Sequence, residues 1–242
     1  MMSLAPPGIF SGISNGLKTN RDTWAYNFDR QSLESNVERT IKFYMGELHR
    51  YADTTYKEGI DSFVQIDSKR IAWTETLKKE LVRGRKTRFD KSKVRWGLYR
   101  PFTRTYLYFD RMLNERVYGL PDKFPDSASQ NLLICITDIA GRSPFSVMAT
   151  DLIPDIHLCA TTDTFQCFTF YEYDEDGTNR RENITDWALD QFRSHYKDKS
   201  ITKWDIFYYT YAVLHHPEYR TRYAANLKRE LPRSSVPPPN PS

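Results

Sequence analysis

The spacing of apolar residues changes period twice along this chain, and that limits the fold more than any single motif. Leu33, Val37, Ile41, Tyr44, Leu48 and Tyr51 follow one another at steps of four and three, which puts one apolar stripe on a helix of roughly five turns. Glu34, Glu38, Arg39, Lys42 and Glu47 fall off that stripe, and Ser32 is the expected N-cap. A second helix is expected from Asp67 or Ser68 to Val82, with Gly84 as its stop. From Thr87 to Tyr173 the pattern becomes short runs of β-branched and aromatic residues separated by turn signals. Candidate strands are Val94–Leu98, Thr105–Phe109, Leu132–Thr137, Phe145–Ala149 and Phe165–Tyr171, with separators such as Arg100-Pro101 and Gly141-Arg142-Ser143-Pro144. Helical spacing then returns. Thr185 caps a helix with Leu189, Phe192 and Tyr196 on one face, Ser200 or Thr202 opens another through Leu214, and Pro217 starts a last one that ends near Pro232.

The fold class expected is therefore α+β: an N-terminal helical spacer, a central mixed or antiparallel sheet with long loops, and C-terminal helices. Its expected divisions are a mobile start at residues 1–10, the spacer at 11–84, a second part at 85–233 (sheet 87–173, helices 184–231), and a disordered tail at 234–242 carrying Pro237, Pro238, Pro239 and Pro241.

Several chemistries lack their residues. No Gly-x-x-x-x-Gly-Lys-Ser/Thr loop, Gly-x-Gly-x-x-Gly turn or Gly-x-Ser-x-Gly elbow occurs. The Pro-Pro pair at Ala5-Pro6-Pro7-Gly8 lacks the polar and aromatic neighbours of an adenine-methylating loop. His49, His157, His195, His215 and His216 are scattered, and Cys135, Cys159 and Cys167 have no zinc spacing. No catalytic residue, metal site or cofactor is expected on this chain. The three cysteines read as buried free thiols in a reducing compartment. With no signal peptide and no apolar run near 20 residues, the expected location is the cytoplasm, with no membrane partner. Asn183-Ile184-Thr185 then matches a glycosylation acceptor only by chance.

Charge is unevenly placed. The chain is +4 overall, from 35 Lys/Arg and 31 Asp/Glu. Between Lys78 and Arg104 eleven cations face only Glu80 and Asp90, and Phe89, Trp96, Tyr99 and Phe102 are interleaved with them. Such a stretch either neutralises phosphates or solvates a helix end and hairpin. A second cluster, Arg220, Arg222, Lys228, Arg229 and Arg233, is diluted by Glu218 and Glu230. It reads as an exposed face.

The wording of several segments adds a resemblance. Gly16-Leu17-Lys18-Thr19-Asn20-Arg21-Asp22-Thr23-Trp24-Ala25-Tyr26-Asn27-Phe28 resembles a segment of type ISP restriction–modification enzymes. The match continues through Leu98-Tyr99-Arg100-Pro101-Phe102, Tyr106–Asp110, Ile153-Pro154-Asp155, Gln166-Cys167-Phe168, Asn183–Leu189 and the run from Ile201 to Arg233. Beyond Arg233 the family runs on into a Pro-aromatic segment that Ser234-Ser235-Val236-Pro237 do not resemble. The resemblance implies the C-terminal specificity part of such enzymes, which binds duplex DNA by base-edge and phosphate contacts. Nuclease, helicase-like translocase and adenine methyltransferase parts are its implied partners, with the catalysis outside this chain, in a bacterial cytoplasm. Arg83, Arg85, Lys86, Arg88, Lys91, Lys93 and Arg95 are then the candidates for phosphates, and Arg100 or Arg104 for a base. Arg100 and Tyr99 belong to the shared wording, so a structural role stays open for them. The rival readings are a module that docks on a methyltransferase or motor subunit through the aromatic helix Trp204–Leu214, a fragment without a task, and, third, an enzyme.

Overall fold

A computed structural model describes residues 8–55, 59–138, 144–158 and 164–229. The expected loop signal at Gly141-Arg142-Ser143, Cys159 and Arg233, and the expected mobile segments at 1–7 and 234–242, lie outside the described residues. The chain is α+β and divides into two compact units. One comprises residues 17–118 with 153–155, and the other 1–16, 119–152 and 156–242.

The first of these units is built on the helix Arg30–Asp53. The apolar stripe behaves as its spacing requires, since Leu33, Val37, Ile41, Tyr44 and Leu48 are all buried and pack with Leu77, Leu81, Val94 and Tyr108 in one core. The cap is Asp29 rather than Ser32. Its Oδ1 accepts the Ser32 backbone N–H at 2.8 Å, so Ser32 is the residue being capped. Glu47, expected off the stripe, is only 4% exposed. It accepts two bonds from Arg50, at 3.0 and 2.6 Å, and the Gln65 N–H at 2.9 Å, which makes its burial tolerable.

The expected helix from Asp67 to Val82 is shorter, Glu75–Val82. Asp67 folds its own segment into a turn instead. Its Oδ1 takes the Lys69 N–H, and its carbonyl takes those of Arg70 and Ile71. Thr74 then caps the helix, accepting from Leu77. Gly84 ends it with a φ of 72°, where a side chain would be strained.

Strands Val94–Arg100 and Thr103–Tyr108 form an antiparallel hairpin at the centre of a four-stranded sheet. Tyr26–Asn27 pairs antiparallel on one side, and Ile153–Pro154 pairs parallel on the other. The composition boundary at residues 84 and 85 therefore falls inside this unit, because Val94 and Tyr108 share a core with the long helix.

In the other unit Ser14–Asn15, Phe165–Thr169, Leu133–Thr137 and Val147–Thr150 form an antiparallel sheet in that order. Tyr171–Glu172 leaves it to pair with Arg181–Glu182, so the expected strand Phe165–Tyr171 is interrupted after Thr169. Ile134, Ile136 and Phe170 form a core with Ala188 and Phe192 of the helix Asp186–Tyr196 and with Ile206, Phe207 and Leu214 of the helix Lys203–His215. Thr185 caps the first of these helices. Thr202 caps the second in a reciprocal box with Asp205. The last helix is shorter than its pattern suggests. It runs Pro217–Arg222, followed by a turn at Ala224–Leu227.

Residues 8–10, expected to be mobile, are held in this unit. Thr185 Oγ1 donates to the Gly8 carbonyl, and the Phe10 ring lies 4.9 Å from that of Phe168. Asn183 ties the same N-terminal segment down. Its amide bonds Gly12 twice and Thr169 once, and the residue is buried, so the glycosylation pattern there has no accessible amide.

Candidate nucleic-acid interface

The sequence cations sort into three groups once the hairpin is folded. Arg83 and Arg85 share one carboxylate, Glu80, at 2.7 and 3.3 Å. Both stay well exposed, and an ion pair of that kind contributes little and yields easily to a phosphate.

The second group surrounds a depression lined by Lys86, Thr87, Arg88, Asp90 and Lys93. Asp90 caps the short turn Lys91–Lys93, its Oδ1 accepting both the N–H and the hydroxyl of Ser92 at 2.9 and 2.7 Å. Those bonds, helped by Lys93 and Arg88, hold its carboxyl below the usual range. The Asp90 N–H donates to the Tyr108 hydroxyl at 3.1 Å, which ties this turn to the hairpin. Burial pushes that phenol up to about 12. Lys93 is paired with the buried carboxylate of Asp110 at 2.6 Å. Lys86, Arg88 and Lys91 are exposed and carry no ion pair among the described residues. Arg95, next along the strand, is partly buried.

The third group is on the hairpin itself. Trp96 stands opposite Tyr106 in the register, with ring centroids 4.0 Å apart. Arg104 lies over the Trp96 ring at 4.0 Å. At the base of the same face Phe89 stacks on Tyr108 at 5.6 Å. Trp96 is 39% exposed and Arg104 is exposed, so this column of rings ends in a cation that faces water.

Arg100 is placed differently. It forms an ion pair with Asp155, which is 2% exposed, and lies 3.7 Å from Asp22. Its guanidinium sits 4.1 Å over the Tyr99 ring, and the Tyr99 hydroxyl donates to Asp22 at 3.0 Å. The Tyr26 ring is 4.7 Å from that of Tyr99. Burial, with Asp155 and Asp22 nearby, drives the Tyr26 phenol well above its ordinary value. Segments 16–28, 98–102 and 153–155 thus meet in one net, and Arg100 is a brace within it. In the sequence these residues lie in three separate segments of the shared wording.

Arg21, in the first of those segments, is buried. Its Nη2 donates to Thr74 Oγ1 at 2.8 Å, and burial lowers its pKa to about 10 against the pull of Glu115 and Asp110. Of the C-terminal cluster, Arg220 donates to the Phe145 carbonyl at 2.5 Å. Among the described residues no three His, Cys, Asp or Glu side chains converge as metal ligands, and no helix is long and apolar enough to cross a membrane. Cys135 and Cys167 are buried thiols.

A family model for the Type ISP C-terminal specificity domain matches residues 8–239. The solved cryo-EM structure of a DrdV–DNA complex is similar at TM-score 0.85 and 33% identity, over 98% of this chain and 23% of that one. A nuclease-deletion mutant of the Type ISP restriction–modification enzyme LlaGI, in complex with a DNA substrate mimic, is similar at 0.81 and 33% identity, over 95% of this chain and 20% of that one. The ATP-dependent Type ISP enzyme LlaBIII, solved bound to DNA, shares the fold at 0.77 and 24% identity, over 95% of this chain and 15% of that one. No curated protein matches the chain. The chain therefore spans less than a quarter of the enzymes it resembles. A match running from residue 8 to 239, over the same words that build the Arg100 net, means that this chain belongs to the family of Type ISP C-terminal specificity domains.

Proposed function

We propose that this chain reads the sequence of duplex DNA for a larger restriction–modification enzyme and carries out no catalysis and holds no cofactor itself. Methylation of adenine, translocation and cleavage fall to parts it works beside, in a bacterial cytoplasm. The observation that carries this reading is the charge of the hairpin. From Lys91 to Phe109 the chain has five Lys/Arg and no Asp/Glu, on a scaffold of the specificity family. Lys86, Arg88, Lys91 and Arg104 are the proposed phosphate contacts, with Arg83 and Arg85 joining as Glu80 releases them. Arg95 lies along the same strand. Lys93 is held by Asp110, and Arg100 serves the scaffold. The exposed face of Trp96 is the side proposed to meet base edges, with Arg104 beside it on a phosphate.

The docking alternative draws less support. Its helix, Lys203–His215, has Ile206, Phe207 and Leu214 in its own core and Trp204 stacked on Phe170 at 3.5 Å.

Selection from random duplexes, followed by a salt titration of the enriched sequence, tests the proposal. Six neutralised phosphates give a log–log slope of about −5.4, at about −0.9 per contact. Replacing Lys86, Arg88 and Lys91 by Ala flattens it to about −2.7. No enrichment at low salt, or a slope near zero, overturns the reading.

A further inference from the structure

At the tip of the hairpin, conformation and chemistry pull in opposite directions. The pair Arg100↔Thr103 closes it, leaving Pro101 and Phe102 as the two central residues. Proline first and a positive φ second, 64° at Phe102, is the pattern of a type II turn. That second position ordinarily takes Gly, or Asn, because a Cβ there crowds the backbone. Phe102 meets the steric penalty and recovers nothing by burial, since the residue is 93% exposed. A strained, exposed apolar ring is an observation that points towards function.

Its surroundings say what it meets. Directly beneath, the Arg100 guanidinium is clamped between Asp155 and the Tyr99 ring, so the tip stands on a braced foot. Beside it Arg104 lies on Trp96, and no carboxylate occurs in the hairpin from Lys91 to Phe109. A hot spot for a protein partner is typically ringed by near-neutral contacts that exclude water. Here the flanking exposed residues are Pro101 and Arg104. An apolar side chain beside cations on a projecting element is the arrangement of proteins that unstack a base step and kink the duplex.

We propose that Phe102 is a wedge that enters a base step of duplex DNA while Arg104 holds an adjacent phosphate. This rests on the reading of the hairpin as a DNA-binding face and adds that the duplex is deformed there.

The test uses the full chain and a duplex recovered by the selection, with 2-aminopurine replacing each adenine in turn. Wild type raises the fluorescence several-fold at one step. Phe102→Ala and Phe102→Gly abolish that rise while keeping the salt slope, and Phe102→Leu retains part of it. Phe102→Gly also melts higher than wild type, because the turn strain is relieved, so its lost signal is not lost folding. A rise that persists in Phe102→Ala overturns the wedge. So does a wild-type complex with a normal salt slope in which no step responds, and then the DNA-reading function stands without it. If no duplex binds at all, that function fails and the wedge with it. If Phe102→Ala instead releases the chain from a methyltransferase-bearing partner and leaves the fluorescence rise intact, the ring is a protein contact.

Discussion

Replacing Asp155 by Asn separates the two arginines of the hairpin. Asp155 is 2% exposed, forms an ion pair with Arg100, and receives the Tyr26 hydroxyl at 3.5 Å. The substitution keeps shape and removes charge, leaving Arg100 with Asp22 at 3.7 Å as its remaining acidic neighbour. Removing one member of a fully buried pair costs about 3–5 kcal/mol. The Arg100 side chain is 31% exposed, and solvent reduces that to about 2 kcal/mol. The unit concerned has about a hundred residues, for which 1 kcal/mol is about 4–8 °C, so its transition falls by about 8–16 °C. The assay is thermal melting of wild type, Asp155→Asn, Arg100→Met and the double variant. The cycle should give a coupling of about 1 kcal/mol or more. Arg104→Ala, by contrast, changes stability by about 0.5 kcal/mol and weakens DNA binding. A coupling near zero, with Asp155→Asn melting like wild type, would refute the assignment of Arg100 to the scaffold.

Two further outcomes follow from the packing. A Cβ on Gly97 would lie 3.2 Å from Leu107 Cβ and 3.4 Å from the Ile153 carbonyl, between three paired strands. Gly97→Val should therefore cost about 1–3 kcal/mol by denaturant titration, while Gly46→Ala, where nothing lies within 4 Å, should not destabilise. Burial pushes the Cys167 thiol up to about 12 from 9.0. The folded pKa is raised, so its stabilising effect is complete below about pH 9 and is lost as pH climbs towards 12. Tyr108 acts in the same direction. Stability measured from pH 7 to 11 should fall above pH 9 and fall less in Cys167→Ala, and alkylation mapped by mass spectrometry should find Cys167 only after denaturant.

What was legible in the sequence was local. The stripe from Leu33 to Leu48 specifies its own helix because a residue's face follows from its position within a few turns. The cores of the strands Val94–Arg100 and Leu133–Thr137 were visible for the same reason. Errors arose where two local devices competed. Asp29 and Ser32 are both capping residues, and Asp67 can turn a chain as well as begin a helix. Long-range partners were hidden. Nothing near Arg100 in the chain shows that it will meet a carboxylate 55 residues away, or that Ile153–Asp155 pairs with a unit other than that of its sequence neighbours. Charge counts alone do not show which of the hairpin's cations are paired. Lys93 and Arg100 are held by Asp110 and Asp155.

The same division explains what the resemblance detected. The shared words supply Asp22, Tyr26, Tyr99, Arg100 and Asp155, and these residues hold one another. A module that must tell sequences apart needs a base contact fixed to a fraction of an ångström, and such precision comes from rigid elements with their own supporting bonds. Trp96 and Arg104 lie on the strands that this net braces, yet neither forms part of it. The exposed face of the hairpin can therefore change identity without loosening its support. Exchanges at Trp96 should alter which duplex is preferred, and exchanges at Arg104 how tightly any duplex is held, both leaving the melting temperature close to wild type. Exchanges at Asp22 or Asp155 should lower the melting temperature first, with preference lost only as a consequence.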